Sequence, residues 1–269
     1  MFIDKKHKLR RRLKRAITAH KIGLTLSGGI ARGIAHIGVL KAFEEYNIPV
    51  HVVSGTSIGA IIAALFAAGL SSDELYALAQ EINWPKIVSL SYTMRGLVKN
   101  DGIKRLIKET IGDLSFRDLK IPCIIATTDF DTGTPYYFTA GPVAPAVQAS
   151  CTIPVLFAPV EINGHHYVDG GITANLPTTP VHEYGAHFIF AVDVFSGLHN
   201  PSIRGNSLIS IAARSFMMMM AQLSRTDTTI PDIRIEPDLP ELSAFDLTHL
   251  DRFYTPGYNA AIAYLSQLL

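Results

Sequence analysis

Two stretches of this chain, Pro122–Asp129 (PCIIATTD) and Phe188–Val194 (FIFAVDV), show none of the apolar–polar alternation of a half-exposed strand. Such a strand is buried on both faces, and the sheet that allows this is largely parallel, with helices above and below it. The neighbouring segments fit. Ile22–Leu26 (IGLTL) and Pro49–Ser54 (PVHVVS) are short β-rich runs, each followed by a glycine-containing turn and then helical spacing. Ala31–Tyr46 sets Ile34, Ile37 and Leu40 apart from Lys41 and Glu44, and Ser57–Ala68 is a helix of small residues that packs closely on its neighbours. Ser71–Asn83, with Ser72 as N-cap, and Asp101–Ile111 read as further helices. Tyr136–Thr139 reads as a strand. Ala158–Ile162 and His165–Val168 form a hairpin about Asn163-Gly164. Ser207–Arg225 is a long helix, Asp232–Glu236 a late strand and Pro256–Leu268 a terminal helix. Alternating helices and strands without an internal repeat predict one three-layer α/β/α sandwich with a mostly parallel central sheet.

The 269 residues suffice for such a domain, and 48% hydrophobic against 17% charged residues excludes wholesale disorder. The longest run of small apolar residues, Ile58–Leu70, is too short to cross a bilayer. No signal peptide is visible, and Cys123 and Cys151 make no disulfide framework, so a reducing, cytoplasmic setting is expected. Charge is unevenly spread. Residues 5–15 hold eight of the 24 Lys and Arg, leaving 16 basic against 23 acidic residues elsewhere, a net of −7. Leu9, Leu13 and Ile17 form a narrow apolar stripe in this basic segment. Residues 1–20 are therefore expected to be a basic amphipathic arm ahead of a catalytic domain spanning 21–269. The arm should add little to the core and suits an anionic membrane surface, peripheral at the inner face. A helix packed on the domain or a flexible tail are the alternatives. The acidic body argues against nucleic acid as a partner.

Three motifs carry chemistry. Gly55-Thr56-Ser57-Ile58-Gly59 is a G-x-S-x-G between a predicted strand and a predicted helix, the setting of a nucleophile on a sharp turn. The loop Ser27–Gly33 (SGGIARG) points free backbone N–H groups at one spot beside a helix start, which suits a phosphate or an oxyanion. It matches neither the dinucleotide fingerprint nor the P-loop. Asp169-Gly170-Gly171 presents a carboxylate at a strand end. Ten histidines are present, but none sits in a motif that completes a Ser–His–Asp triad. Asp129 and Asp131 are too few for a calcium site, so no metal or cofactor is expected.

Together and in this order the motifs resemble the patatin-like phospholipase family: GGIARG at 28–33, GTSIG at 55–59 and DGG at 169–171. ATTDFDTG (126–133), ASCTIP (149–154) and ITANLP (172–177) are similar to segments of its bacterial branch, so the likeness covers about residues 21–195. The resemblance implies a serine lipid acyl hydrolase acting on phospholipid or lysophospholipid esters. It implies a Ser57–Asp169 dyad without histidine, backbone N–H groups of Gly28, Gly29 and Ile30 as the oxyanion hole, and Arg32 for loop support or head-group binding. The family pattern has glycine where this chain has Ile30; if that position takes positive φ, isoleucine is costly there. The alternative is a patatin-like regulatory or lipid-binding protein with little hydrolase activity. Acyl transfer to another acceptor is a third reading, although the related acyl-carrier transacylases carry histidine where Thr56 stands.

Overall fold

A computed structural model describes residues 2–82, 89–92, 98–195, 208–224, 229–240 and 249–269. Its elements run α1 (Phe2–Thr18), β1 (Ile22–Leu26), α2 (Ile34–Glu45), β2 (Val52–Thr56), α3 (Ile58–Ala68) and α4 (Ser72–Glu81). A small ribbon of β3 (Ser89–Tyr92) and β4 (Val98–Lys99) precedes α5 (Asp101–Ile111), β5 (Cys123–Asp129), β6 (Pro135–Phe138) and α6 (Val143–Ser150). Then come β7 (Val160–Ile162), β8 (His165–Asp169), α7 (Thr178–Glu183), β9 (Phe188–Val192), α8 (Leu208–Leu223), β10 (Ile233–Ile235) and α9 (Asp251–Leu268). The expected α/β/α layering is present. Strands β10, β9, β1, β2 and β5 are parallel neighbours, and β6, β7 and β8 add antiparallel pairs at one side. β1, β2, β5 and β9 are buried at every position. Leu24, Val53, Ile125 and Phe190 face the main core beneath α2, α3 and α9. Val52, Ile124 and Ile189 face the other layer, where Val181 of α7 covers them.

One pairing detail positions the site. β5 pairs with β2 through Cys123–Ala126, with β8 through Thr127–Asp129 and with β6 through Ile125–Thr128. A strand has two edges. Because β6 overlaps both of the others, β2 and β8 share the opposite edge and meet end to end. β2 finishes with Thr56 opposite Ala126, and β8 finishes with Asp169 opposite Thr127.

Several boundaries differ from expectation. β2 runs on through Gly55 and Thr56, which read as a turn in sequence. Ser71, not Ser72, caps α4: its hydroxyl accepts the Glu74 N–H and Glu74 returns a bond to the Ser71 N–H, while Ser72 turns inward to Glu44. Asn163 and Gly164 both take positive φ, as the predicted hairpin requires. Asn83, Ser207 and Arg225, ends of expected helices, lie outside the described residues.

The basic arm is the main correction. Leu13 and Ala16 are buried in the principal core, with Leu9 and Ile17 packed against it. Arg12 pairs with Asp232 and donates to the His187 carbonyl, and the Lys21 N–H returns to the Ala16 carbonyl. α1 thus contributes to the core, against the expectation that it adds little. It lies across the N-terminal ends of β1, β9 and β10, with Lys14 and Arg15 outward. Among the described residues, no helix is long and apolar enough to cross a membrane.

Candidate active site

Ser57 stands between β2 and α3 at φ 55°, ψ −123°, a backbone conformation that costs a non-glycine residue about 1–3 kcal/mol. Its neighbours show why the turn demands glycine two residues to each side. A Cβ on Gly55 would sit 2.2 Å from the Gly59 carbonyl oxygen, and one on Gly59 would sit 2.4 Å from that of Leu26. The turn places Ser57 at the start of α3, where the helix field favours negative charge.

Asp169, at the end of β8, is fully buried. Its Oδ1 accepts the Gly171 N–H at 2.8 Å. Oδ2 makes no hydrogen bond of ordinary geometry, yet the Ser57 hydroxyl is close enough to favour the charged carboxylate. Burial lifts the Asp169 carboxyl to about 7, against the pull of Gly171 and Ser57. The buried Cys151 thiol touches the same pair. Burial, then the Asp169 charge, holds its pKa well above the usual thiol range, so it stays neutral beside the serine. Neither Ser57 nor Asp169 has a histidine partner among the described residues. His36 bonds the Ser27 carbonyl through Nε2 at 2.8 Å, and burial lowers it to about 4, so it supports the glycine loop as a neutral ring. His165 forms a group with Asp129 and Asp131 at the start of the β8 strand, four residues before Asp169.

The glycine loop divides its donors. Gly28 gives its N–H to the Asn175 carbonyl at 3.2 Å and is therefore engaged, unlike the free donor expected of it. The Gly29 and Ile30 N–H groups have no acceptor among the described residues. Ile30 does adopt positive φ, 51°. Its side chain packs against a cluster that includes Ile153, Phe157, Phe216 and Met220, which offsets the backbone cost. Arg32 is buried; its Nε–H donates to the Val194 carbonyl at 2.8 Å and Nη1 reaches Pro240 at 3.4 Å. Burial lowers its pKa to about 10, with Asp193 opposing. The guanidinium is a strut for the loop and is not presented to a lipid head group.

An apolar cavity of about 100 Å³ opens at Ser57 between Ile30, Ile34, Ile61, Ile103 and Leu106. A larger one of about 580 Å³, at Phe116 and Pro142, lies near Pro122 and Cys123 at the start of β5, away from Ser57 and Asp169.

Residues 24–182, more than half of the chain, match the family model of patatin-like phospholipases. The chain belongs to the patatin-like phospholipase family. It is 30% identical to lysophospholipase nte1 of Aspergillus terreus over 96% of its own length and 36% identical to neuropathy target esterase sws of Drosophila melanogaster over 69%. It spans only 19% and 14% of those proteins. Its fold is similar to that of VipD from Legionella pneumophila, with a TM-score of 0.64 and 16% identity over 92% of this chain and 67% of that one. The type III effector ExoU gives 0.52 and 16% over 92% and 53%.

In the sequence, 149–154 carries only the family likeness and no role for its residues. In the fold, Ser150, Cys151 and Thr152 lie against Ser57 and Asp169. The available signal was chemical: three polar residues closing a small-residue apolar helix need buried partners.

Proposed function

We propose that this patatin-like domain is a carboxylic ester hydrolase acting on phospholipids or lysophospholipids through Ser57 and Asp169. The observation that carries the reading is the meeting of β2 and β8 on one edge of β5, which brings the strained serine to the buried, unpaired carboxylate oxygen. Ser57 Oγ attacks the ester carbonyl while Asp169 takes its proton. The oxyanion faces the N–H groups of Gly29 and Ile30. Collapse expels the alcohol with the proton from Asp169 and leaves the acyl group on Ser57; water, activated by Asp169, then releases the fatty acid. The apolar cavity at Ser57 receives the acyl chain. The hydrolase names of the relatives support the substrate class.

Exposed Val155, Met218 and Met219 flank the cluster over the glycine loop, so lipid reaches the site at that end of the sheet. An anionic surface bound to α1 at the other end leaves the site facing away from it. We therefore drop the arm as the membrane-docking element. Reading the chain as a lipid-binding module with little activity draws on Ile30, but the Ile30 N–H is retained and its strain is offset by packing.

A fluorophosphonate probe should label Ser57 in the native chain, and Ser57→Ala should abolish both labelling and release of fatty acid from lysophosphatidylcholine. An adduct mapped to another serine with Ser57 unmodified overturns the assignment. Because the base must be ionised, turnover of a nitrophenyl ester should rise with pH through an apparent pKa near 7 and then level. A flat profile between pH 5 and about 9 would argue against Asp169 as base.

A further inference from the structure

Ser57 sits in strained backbone, and the hydrogen bonds inside α3 begin beyond its own N–H. That N–H, buried and at the start of a helix, needs an acceptor from elsewhere in the chain. Ser150, the last residue of α6, supplies it: the Ser57 N–H donates to Ser150 Oγ at 2.9 Å. The Ser150 hydroxyl in turn donates to the Ala126 carbonyl at 2.6 Å. Its proton is thereby committed to β5, which leaves a lone pair aimed at the serine. Two residues on, the Thr152 carbonyl accepts the Asp169 N–H at 2.9 Å. Both members of the dyad are therefore tied by their backbone N–H groups to one three-residue segment, and Cys151 between them lies against both side chains.

We propose that residues 150–152 form a clamp that sets Ser57 and Asp169 in register, with Ser150 as the positioning residue on the serine side. The proposal rests on the dyad reading above and goes beyond it by assigning the segment that holds the dyad together. The clamp has its own foundation. Thr152 Oγ1 donates to the Gln148 carbonyl at 2.9 Å, Asn100 Nδ2 donates to both the Gln148 carbonyl and Thr152 Oγ1 at 3.0 Å, and Gln148 Nε2 donates to Asp101 at 2.9 Å. Asn100, Gln148, Ser150 and Thr152 are all buried. A satisfied buried network of this kind is rigid, and rigidity is what a strained elbow requires of its support. Only a hydroxyl both donates to Ala126 and accepts from Ser57 at these lengths. Alanine does neither, and cysteine fills the same space with a much weaker acceptor.

The test compares Ser150→Ala, Ser150→Cys and Val147→Ala. Val147 is a buried residue of α6 in the main core, so its truncation loosens the same helix without touching the clamp. Each variant is first shown to be folded by thermal melting, then assayed for nitrophenyl ester turnover and for the rate of fluorophosphonate labelling at Ser57. Both Ser150 variants should lose about tenfold or more in kcat, because small misplacements of a nucleophile are costly. KM should stay within about twofold, since ground-state binding is untouched. Labelling should slow in step with kcat, while Val147→Ala keeps its kcat despite a lower melting temperature. If Ser150→Cys retains wild-type kcat, or if Val147→Ala loses as much as the Ser150 variants, the clamp is ordinary packing and the proposal fails. A native chain that neither labels nor turns over ester overturns the hydrolase reading itself, a result separate from the ratio between variants.

Discussion

Asp169→Asn should all but abolish ester hydrolysis and at the same time raise the melting temperature at pH 8. The loss follows from removing the base, a group worth about a hundredfold to ten-thousandfold in rate. The gain follows from burial. The Asp169 carboxyl is fully enclosed and its pKa is raised to about 7. Between about pH 4 and 7 the native state holds this proton more tightly than the unfolded chain does, so stability falls as pH rises through that window. Above about 7 the whole penalty is present; near pH 4 it is absent. The gap between native and unfolded pKa sets a ceiling of about 4 kcal/mol, and in practice about half of that is realistic. Asparagine never charges, still accepts the Gly171 N–H through its oxygen, and offers its amide to Ser57. At about 2–4 °C per kcal/mol for a domain of this size, the variant should melt about 5 °C higher at pH 8 and converge on wild type near pH 4. Scanning melts from pH 4 to 9 on both proteins tests this. A variant that melts lower at pH 8, or a gap that does not change with pH, would refute the account of Asp169 as a carboxylate ionised at a cost.

Deletion of residues 1–18 should destabilise the domain severely. The segment looks dispensable in sequence, because its stripe of Leu9, Leu13 and Ile17 is narrow and its charges are many. In the fold, Leu13 and Ala16 are inside the core and Arg12 holds Asp232 ahead of β10. Burying one leucine contributes about 2–5 kcal/mol against truncation, and the rest of the helix adds to it. The shortened chain should melt about 10 °C lower or more. Binding to anionic vesicles should change little, since the apolar residues flanking the site are untouched. A truncated chain with an unaltered melt and weakened vesicle binding would restore the arm as a membrane anchor.

These cases mark what the residues disclosed and what they withheld. The run at 122–129, with no apolar–polar alternation, marks a doubly covered strand, and Asn163-Gly164 marks the β7–β8 hairpin, because both signals are local. α6 carries no local signal: Gly141-Pro142 and Pro145 interrupt the segment, and its small residues lack a polar face to show a helical period. Pro256 read as the start of α9, yet the helix begins at Asp251 and absorbs the proline in its second turn. Ser57 and Asp169 are legible as motifs because the strained turn at Ser57 and the close approach of Gly170 to the Ala126 carbonyl restrict residue type. Their relation was not, since it depends on which edge of β5 each strand occupies. For the same reason no pattern in the chain distinguished Gly28, whose N–H is engaged by Asn175, from Gly29 and Ile30.

The isoleucine in the glycine loop makes this a borrowed conformation. A β-branched residue at φ 51° would relax if left alone; it is held because α8 lays Phe216, Met217 and Met220 over it. The loop's two free donors depend on that packing as well as on the Arg32 and His36 bonds that brace the loop, although Phe216 lies 186 positions beyond Ile30 in the chain. α8 also lies on Gly171, whose N–H bonds Asp169, so its docking supports the glycine loop and the turn behind the carboxylate together.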